Sequence, residues 1–139
     1  MPLVKPDRLR EICKEILKGF GATEDEADAV ARIMVEANLR GHDSHGVIQL
    51  PRYIREVREG VIRPGARVRV VKETPCTAVV DGGNSFGHYI GEKVMEIAIG
   101  KAEKKGIGIV GAYNCSHVGM LAHYSMTVSY THLTLPTKA

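Results

Sequence analysis

The spacing of the apolar residues changes at the turn formed by residues 62–65, and this change limits the possible folds more than any other feature. Before the turn, apolar side chains recur every three to four residues, the period of amphipathic α-helices. After it, short runs rich in valine and isoleucine alternate with helical patterns. Helices followed by strands that alternate with helices predict an α/β (α+β) protein. We therefore divide the chain into a helical segment, residues 1–65, and the first part of an α/β domain, residues 66–127.

Three helices are predicted in the first segment. The first has an apolar face that includes Phe20 and ends at the glycines beside it, as helices often do. Thr23 and Glu26 have the spacing of a capping box, so the second helix begins there and ends near residue 40. The third runs to about Glu59 with Tyr53 facing inward. Pro51 must lie at its start, because an interior proline costs roughly 3 kcal/mol.

The second segment has three predicted strands, at residues 68–71, 77–80 and 107–112, and the last of them should be buried. A long helix should end near residue 105, and another begins at residue 118. The glycine-rich loop 81–87 lies between a strand and a helix, where a phosphate could bind. It matches neither G-x-G-x-x-G nor G-K-S/T, so a tight turn is favoured.

Charge and cysteine content argue against several classes of protein. The formal net charge is +3 and the basic residues alternate with acids, whereas a nucleic-acid surface more often has a segregated basic stripe. The three cysteines form no CxxC pair, so neither a disulfide framework nor a four-cysteine zinc site is indicated. No apolar run reaches membrane-spanning length and the amino terminus lacks a signal-peptide core. We expect a cytoplasmic protein that binds neither nucleic acid nor membrane.

The first candidate site is the segment Gly-His-Asp-Ser-His-Gly at residues 41–46, between two predicted helices. Histidine titrates near neutral pH, so such a loop can exchange protons with a substrate. The alternative is structural, because Asp43 or Ser44 could cap the next helix.

The second candidate site is Asn-Cys-Ser-His-Val-Gly at residues 114–119, directly after a predicted strand. Ligands of α/β sheets tend to lie beyond the carboxyl ends of strands. His117 could therefore act as a general base, with Ser116 orienting the substrate. The alternative is a loop that caps the following helix.

Two other hypotheses remain open at this stage. If both loops are only caps, the chain is a non-enzymatic helical interaction module. A metal-dependent enzyme would draw its ligands from His42, His45, Cys115 and His117, but no carboxylate-rich partner accompanies them, and we assign no metal ligand. His88 and His123 have no supporting context, so ordinary helix positions are expected for both.

Together the two motifs resemble the type-2 malate/L-lactate dehydrogenase family. The first motif continues to Leu50-Pro51-Arg52-Tyr53, the second follows an Ile-Gly-Ile-Val strand, and the similarity covers about residues 3–127. The resemblance implies a mixed-sheet, non-Rossmann fold, which agrees with the missing G-x-G-x-x-G. It also implies a homodimer that transfers a hydride between NAD or NADP and a small 2-hydroxy acid or 2-keto acid.

The resemblance also implies roles for individual residues. His117 matches the proton acceptor of some members, His45 matches an acid/base histidine of others, and Ser44 matches a serine near the substrate carboxylate. Ser116 and Gln49 complete the predicted substrate-binding set. Gln49 stands where many members have arginine, so it can donate hydrogen bonds but carries no charge to pair with a carboxylate.

Members of this family are more than twice as long, and most of their cofactor contacts come from later segments. We therefore expect a truncated, amino-terminal fragment that is inactive alone, with an apolar sheet face and a sheet edge uncovered. The cofactor-binding residues are expected downstream.

Residues 128–139 depart from the preceding helical pattern and bring threonines, a tyrosine and Pro136. The string resembles the in-frame translation of a transposon-end adapter used in sequencing libraries, so we predict a non-native tail. The alternative is a native strand ended by Pro136. The coding DNA should match an adapter from about codon 127 onward, a boundary set where the helical period is lost; a sequence without that match would make the tail native.

Overall fold

The order of helices and strands confirms the predicted α/β class. The structure, a computed structural model, describes residues 3–131. Its elements are, in chain order, α1 (Pro6–Gly19), α2 (Glu24–Leu39), α3 (Leu50–Arg58), β1 (Arg69–Glu73), β2 (Thr77–Asp81), α4 (Gly87–Lys105), β3 (Ile109–Tyr113) and α5 (Leu121–Thr131). Two 3₁₀ turns, Asp43–His45 and Val47–Gln49, lie between α2 and α3. Within the described residues, no helix is long and apolar enough to cross a membrane.

The start of α2 is the predicted capping box. The backbone N–H of Glu26 donates to the Thr23 hydroxyl over 3.3 Å, and the backbone N–H of Thr23 donates to the Glu26 carboxylate over 2.9 Å. Two amides that a helix start leaves without intrahelical partners are thereby satisfied.

The Glu26 carboxylate also holds distant parts of the chain against α2. Its side chain is 1% exposed, accepts the backbone N–H of Gly65 at 2.9 and 3.0 Å, and accepts the hydroxyl of Ser85. Gly65 lies in the turn that follows the helical segment, and Ser85 lies just before α4. One buried acid therefore joins α2, that turn and the start of α4.

The core is continuous from the helical segment into the α/β part. α1 and α2 pack along one another, and Tyr53 of α3 belongs to the same buried cluster. Apolar area removed from water stabilises such a cluster by roughly 25 cal/mol per Å². Its largest buried members are Leu17, Met34, Tyr53, Ile62 and Phe86.

The sheet has the order β1-β2-β3 and is mixed. β1 and β2 pair antiparallel, whereas β2 and β3 pair parallel with α4 as the crossover helix. Ala78 and Val80 are buried, while Val79 and Ile109 remain exposed. The prediction that β3 is buried is wrong within the described residues, because β3 ends the sheet and only one face is covered. Ile109 is 60% exposed, as expected for an uncovered face and edge.

The helix α5 continues through the start of the predicted tail. The expected loss of helix at residue 128 does not occur, since α5 extends to Thr131. The hydroxyls of Thr127 and Ser129 donate to the carbonyls four residues earlier, both at 3.0 Å, so they are accommodated within the helix. Residues 132–139 lie outside the described part, and the origin of the tail stays a prediction.

Glu26→Gln should lower the free energy of unfolding by about 1–3 kcal/mol, because an amide cannot accept hydrogen bonds from all the donors that the carboxylate serves. Urea unfolding of the chain measures this. Asp25→Asn is the matched control, since Asp25 occupies the same helical turn but is exposed; its cost should stay under about 1 kcal/mol. Equal losses in the two variants would contradict the role of Glu26.

Candidate active site

The structure brings His45 and His117 together although they lie far apart in the sequence. Their ring centroids are 5.6 Å apart and both side chains are partly exposed. His45 ends the first 3₁₀ turn after α2, and His117 lies in the loop after β3. The two candidate loops therefore form one site that a small molecule can reach.

The first loop is held by Asn38 at the end of α2. The Asn38 side chain accepts the backbone N–H of Val47 at 2.9 Å and donates to the carboxylate of Asp43. Gly46 lies so close that a Cβ there would overlap the Asn38 side chain. The glycine therefore permits the approach that brings His45 to the site.

Asp43 and Ser44 do not cap α3, so that structural alternative is wrong. The residues directly before α3 and before each 3₁₀ turn make no side-chain cap, and the amide of Val47 at the second 3₁₀ turn is satisfied by Asn38. The hydroxyl of Ser44 instead lies 3.0 Å from Nδ1 of His45. Gln49 donates its side-chain N–H to the carbonyl of Ser44 at 2.7 Å, which leaves its side-chain oxygen and second N–H for other partners.

The second loop docks on the first turn of α4. The hydroxyl of Ser116 accepts the backbone N–H of Gly87 at 2.8 Å and donates to the carbonyl of Ser85 at 3.2 Å. Ser116 thus completes the start of α4, and not of the helix that follows its own loop. Its only proton is used, so towards a substrate this hydroxyl can only accept a hydrogen bond.

Two functional candidates, Tyr53 and His88, were missed by the sequence analysis. The Tyr53 hydroxyl lies 2.8 Å from Nδ1 of His117 and 3.4 Å from Nε2 of His88. Tyr53 and His88 are each 1% exposed. His88 lies in the first turn of α4, as expected of a helix residue, but the sequence did not indicate its burial or its contact with Tyr53. Only the tertiary fold joins these three residues. The signals in the sequence were the inward prediction for Tyr53 and its place at the end of the first motif.

Burial sets the protonation of these groups. Loss of solvent lowers the pKa of His88 to about 3, and the neighbouring His117 adds to the shift. Burial, followed by the charges of Arg52 and His45, lowers the pKa of His117. Burial raises the pKa of Tyr53, so its hydroxyl keeps its proton. A buried charge without a partner is unfavourable, so His88 is neutral.

His123 has the opposite environment. Its Nδ1 lies 2.8 Å from the carboxylate of Glu36 on α2, and its Nε2 lies 3.0 Å from the carboxylate of Glu92 on α4. Hydrogen bonds to Glu92 and Glu36 raise the pKa of His123 although burial opposes them. Arg32 donates to both oxygens of Glu92. His123 lies in a helix, as expected, and its imidazole also fastens α5 to α2 and α4, which the sequence did not indicate.

The glycine-rich loop 81–87 is a tight turn, as favoured from the sequence. A Cβ on Gly82 would overlap Ile90 and the carbonyl of Asn114, and Gly83 has a φ of 61°. These glycines are required by packing within the chain. Across residues 3–131, no three His, Cys, Asp or Glu side chains are grouped to hold a metal ion.

The buried neutral His88 should make the chain less stable at low pH. Its folded pKa of about 3 lies below the unfolded value near 6.5, so the unfolded state gains a proton first as the pH falls. The contribution of neutral His88 to the free energy of unfolding is fully present above pH ~6.5. It declines towards pH ~3, and the free energy of unfolding then falls by at most about 1.4 kcal/mol per pH unit. Urea unfolding at several pH values gives the free energy of unfolding as a function of pH. We expect this free energy to fall less steeply with decreasing pH in His88→Gln than in the wild-type chain. The same dependence on pH in both proteins would contradict the assignment of His88 as a buried neutral histidine.

Known proteins with similar sequences are hydroxy-acid dehydrogenases. The chain is 39% identical over 123 residues to L-sulfolactate dehydrogenase of Methanocaldococcus jannaschii, which covers 88% of this chain and 36% of that enzyme. It is 37% identical over 123 residues to malate dehydrogenase of Pyrococcus abyssi, and this match covers 88% of this chain and 34% of that enzyme. The chain thus spans about a third of the length of the curated relatives it matches.

Solved structures give the same result. Sulfolactate dehydrogenase of Methanocaldococcus jannaschii superposes with a TM-score of 0.90 at 37% identity, over 93% of this chain and 38% of that one. Malate dehydrogenase of Pyrococcus horikoshii superposes with a TM-score of 0.89 at 37% identity, over 91% of this chain and 36% of that one. The family model for malate/L-lactate dehydrogenase matches residues 4–133. The chain belongs to the malate/L-lactate dehydrogenase family.

Proposed function

We propose that this chain supplies the proton-exchanging part of an enzyme that transfers a hydride between NAD or NADP and a small 2-hydroxy acid or 2-keto acid. The observation that carries the proposal is the pairing of His45 and His117 at 5.6 Å on an accessible surface. The similar proteins are named as dehydrogenases of sulfolactate, malate and other hydroxycarboxylates, which supports the substrate class.

His117 is the proposed proton acceptor. When a hydride leaves the carbon of a hydroxy acid, the hydroxyl must lose its proton, and a neutral imidazole is a suitable base near pH 7. The pKa of His117 is lowered chiefly by burial, so the ring is neutral at that pH. His45 lies on the same surface, and its Nδ1 has the Ser44 hydroxyl as partner at 3.0 Å. We assign His45 to acid/base support and Ser44 to the substrate carboxylate.

The substrate carboxylate would meet a site of modest positive charge. Gln49 is neutral, and Arg52 is paired with Glu56 at 2.7 Å. Ser116 can accept a hydrogen bond from a substrate hydroxyl but cannot donate one to a carboxylate. Ser44, Gln49 and Ser116 together therefore favour a small polar acid held mainly by hydrogen bonds.

A nicotinamide ring, when bound, would accept the hydride. The glycine loop 81–87 is filled by contacts within the chain, which leaves little room there for a phosphate of the dinucleotide. We propose that the residues that hold the dinucleotide belong to parts of the enzyme outside this chain. We also propose that the complete enzyme is a cytoplasmic homodimer and that the 139-residue chain alone is inactive.

His117→Ala in the gene product that contains this chain should lower kcat by about 10²–10⁴-fold, the usual contribution of a positioned acid or base, or roughly 3–5 kcal/mol of barrier. NAD(P)H turnover with a panel of 2-keto acids measures it. His42→Ala is the control, because His42 is exposed in the same loop and its ring bonds only the Arg40 carbonyl among described contacts. An unchanged rate in His117→Ala would remove His117 from this role.

A further inference from the structure

The hydroxyl of Tyr53 lies between two imidazoles. It is 2.8 Å from Nδ1 of His117 and 3.4 Å from Nε2 of His88. The Tyr53 ring stacks on His117, with centroids 6.1 Å apart, and meets His88 edge-on at 5.2 Å. Tyr53 comes from α3, His88 from α4 and His117 from the loop after β3. Three separate parts of the chain therefore place the side chains of His117, Tyr53 and His88 in one hydrogen-bonded row.

A single hydroxyl proton allows two arrangements of this row. In the first, Tyr53 donates to Nδ1 of His117 and accepts from Nε2–H of His88. In the second, Nδ1–H of His117 donates to Tyr53, which donates its own proton to Nε2 of His88. Both arrangements give the buried groups of the row hydrogen-bond partners. They differ in the nitrogen that carries the ring proton of neutral His117, which is Nε2 in the first and Nδ1 in the second.

Only the second arrangement is compatible with proton exchange at the accessible ring edge. The Nδ1 of His117 faces the buried hydroxyl of Tyr53, so a substrate can reach only Nε2. In the first arrangement neutral His117 carries a proton on Nε2, and taking up another would require the buried Tyr53 hydroxyl to turn. In the second, Nε2 has a free lone pair and gains or loses a proton while every buried hydrogen bond is kept.

We propose that Tyr53 and His88 are positioning residues that hold His117 in the Nδ1–H tautomer and leave Nε2 as the atom that exchanges a proton with the substrate. This inference deepens the proposed function and rests on it for the role of Nε2. The proton moves between the substrate hydroxyl and Nε2, and no bond at Nδ1, at Tyr53 or at His88 changes.

His88 suits the end of such a row because it must accept a hydrogen bond and stay uncharged. Its side chain is 1% exposed, and a Cβ on Gly119 would press on its Nε2 edge. The titratable groups that face it are His117 from the loop, Glu92 on its own helix and His123 on α5. Burial outweighs the acid, so the ring stays neutral and one of its nitrogens has a lone pair; in the second arrangement that nitrogen is Nε2.

The test is the tautomer of His117, read from ring ¹⁵N signals of the gene product labelled at histidine. In the wild-type protein above the pKa of His117, Nδ1 should give a pyrrole-type signal and Nε2 a pyridine-type signal. Tyr53→Phe removes the hydroxyl and keeps the ring, and it should abolish this preference. Tyr89→Phe is the control, because Tyr89 is a half-buried tyrosine on α4 outside the row. It should leave the signals of His117 unchanged.

Turnover gives a second readout with a conservative rescue. Tyr53→Phe should lower kcat by roughly 10- to 100-fold with little change in KM, a loss of the size seen when a partner that orients a metal-bound histidine is removed. His88→Gln keeps an acceptor near Nε2 and should retain most of the rate, whereas His88→Leu removes it and should behave like Tyr53→Phe. Both His88 variants keep a side chain of moderate size in the buried site.

The outcomes separate this inference from the proposed function. A pyridine-type Nδ1 in wild-type His117, or unchanged signals in Tyr53→Phe, would overturn the inference whatever the turnover. A gene product that reduces no 2-keto acid would overturn the proposed function, while the ¹⁵N signals would still decide the tautomer. Equal rates for His88→Gln and His88→Leu would remove His88 from the row.

Discussion

The close approach of the second loop to the start of α4 is the contact on which the candidate site depends. The carbonyls of Ser116 and His117 lie against the Cα of Gly87, where any Cβ would overlap them. The same loop gives the Ser116 hydroxyl to the Gly87 N–H. Because these contacts fix the backbone, the imidazole of His117 reaches Tyr53 on one side and His45 on the other. A larger residue at position 87 would displace the loop, and with it the row of polar atoms.

Local sequence patterns predicted the helices, the strands and the two histidine loops well. They predicted poorly which residues are buried and which residues contact one another. The capping box at Thr23 and the helix at Pro51 follow from interactions within a few residues, so the sequence contains them in full. The burial of β3 depends on what covers the sheet, and valine-rich runs do not reveal that. His88 was missed because its partners, Tyr53 and His117, come from distant segments that only the tertiary fold joins.

Three histidines show how environment decides the chemistry of one side chain. His88 is fully buried and its ring is paired with the uncharged hydroxyl of Tyr53, so its neutral form is favoured. His123 is also buried, but each of its nitrogens faces a carboxylate, and two acceptors call for two donors, which only the imidazolium has. His117 lies between these cases, since it is half-buried and borders Arg52 and His45. Residue type alone therefore identifies none of the three roles.

The lowered pKa of His117 has opposite consequences for the two directions of the proposed reaction. Oxidation of a hydroxy acid needs a neutral imidazole, and burial together with Arg52 favours that form at neutral pH. Reduction of a keto acid needs the protonated ring, which the same environment disfavours. A Tyr53 oxygen that accepts Nδ1–H in both states offsets part of this cost, because it stabilises the imidazolium without leaving the neutral ring unpaired. Burial alone would favour only the neutral, basic form of His117. The hydrogen bond to Tyr53 thus allows the same imidazole to serve as base in one direction and as acid in the other.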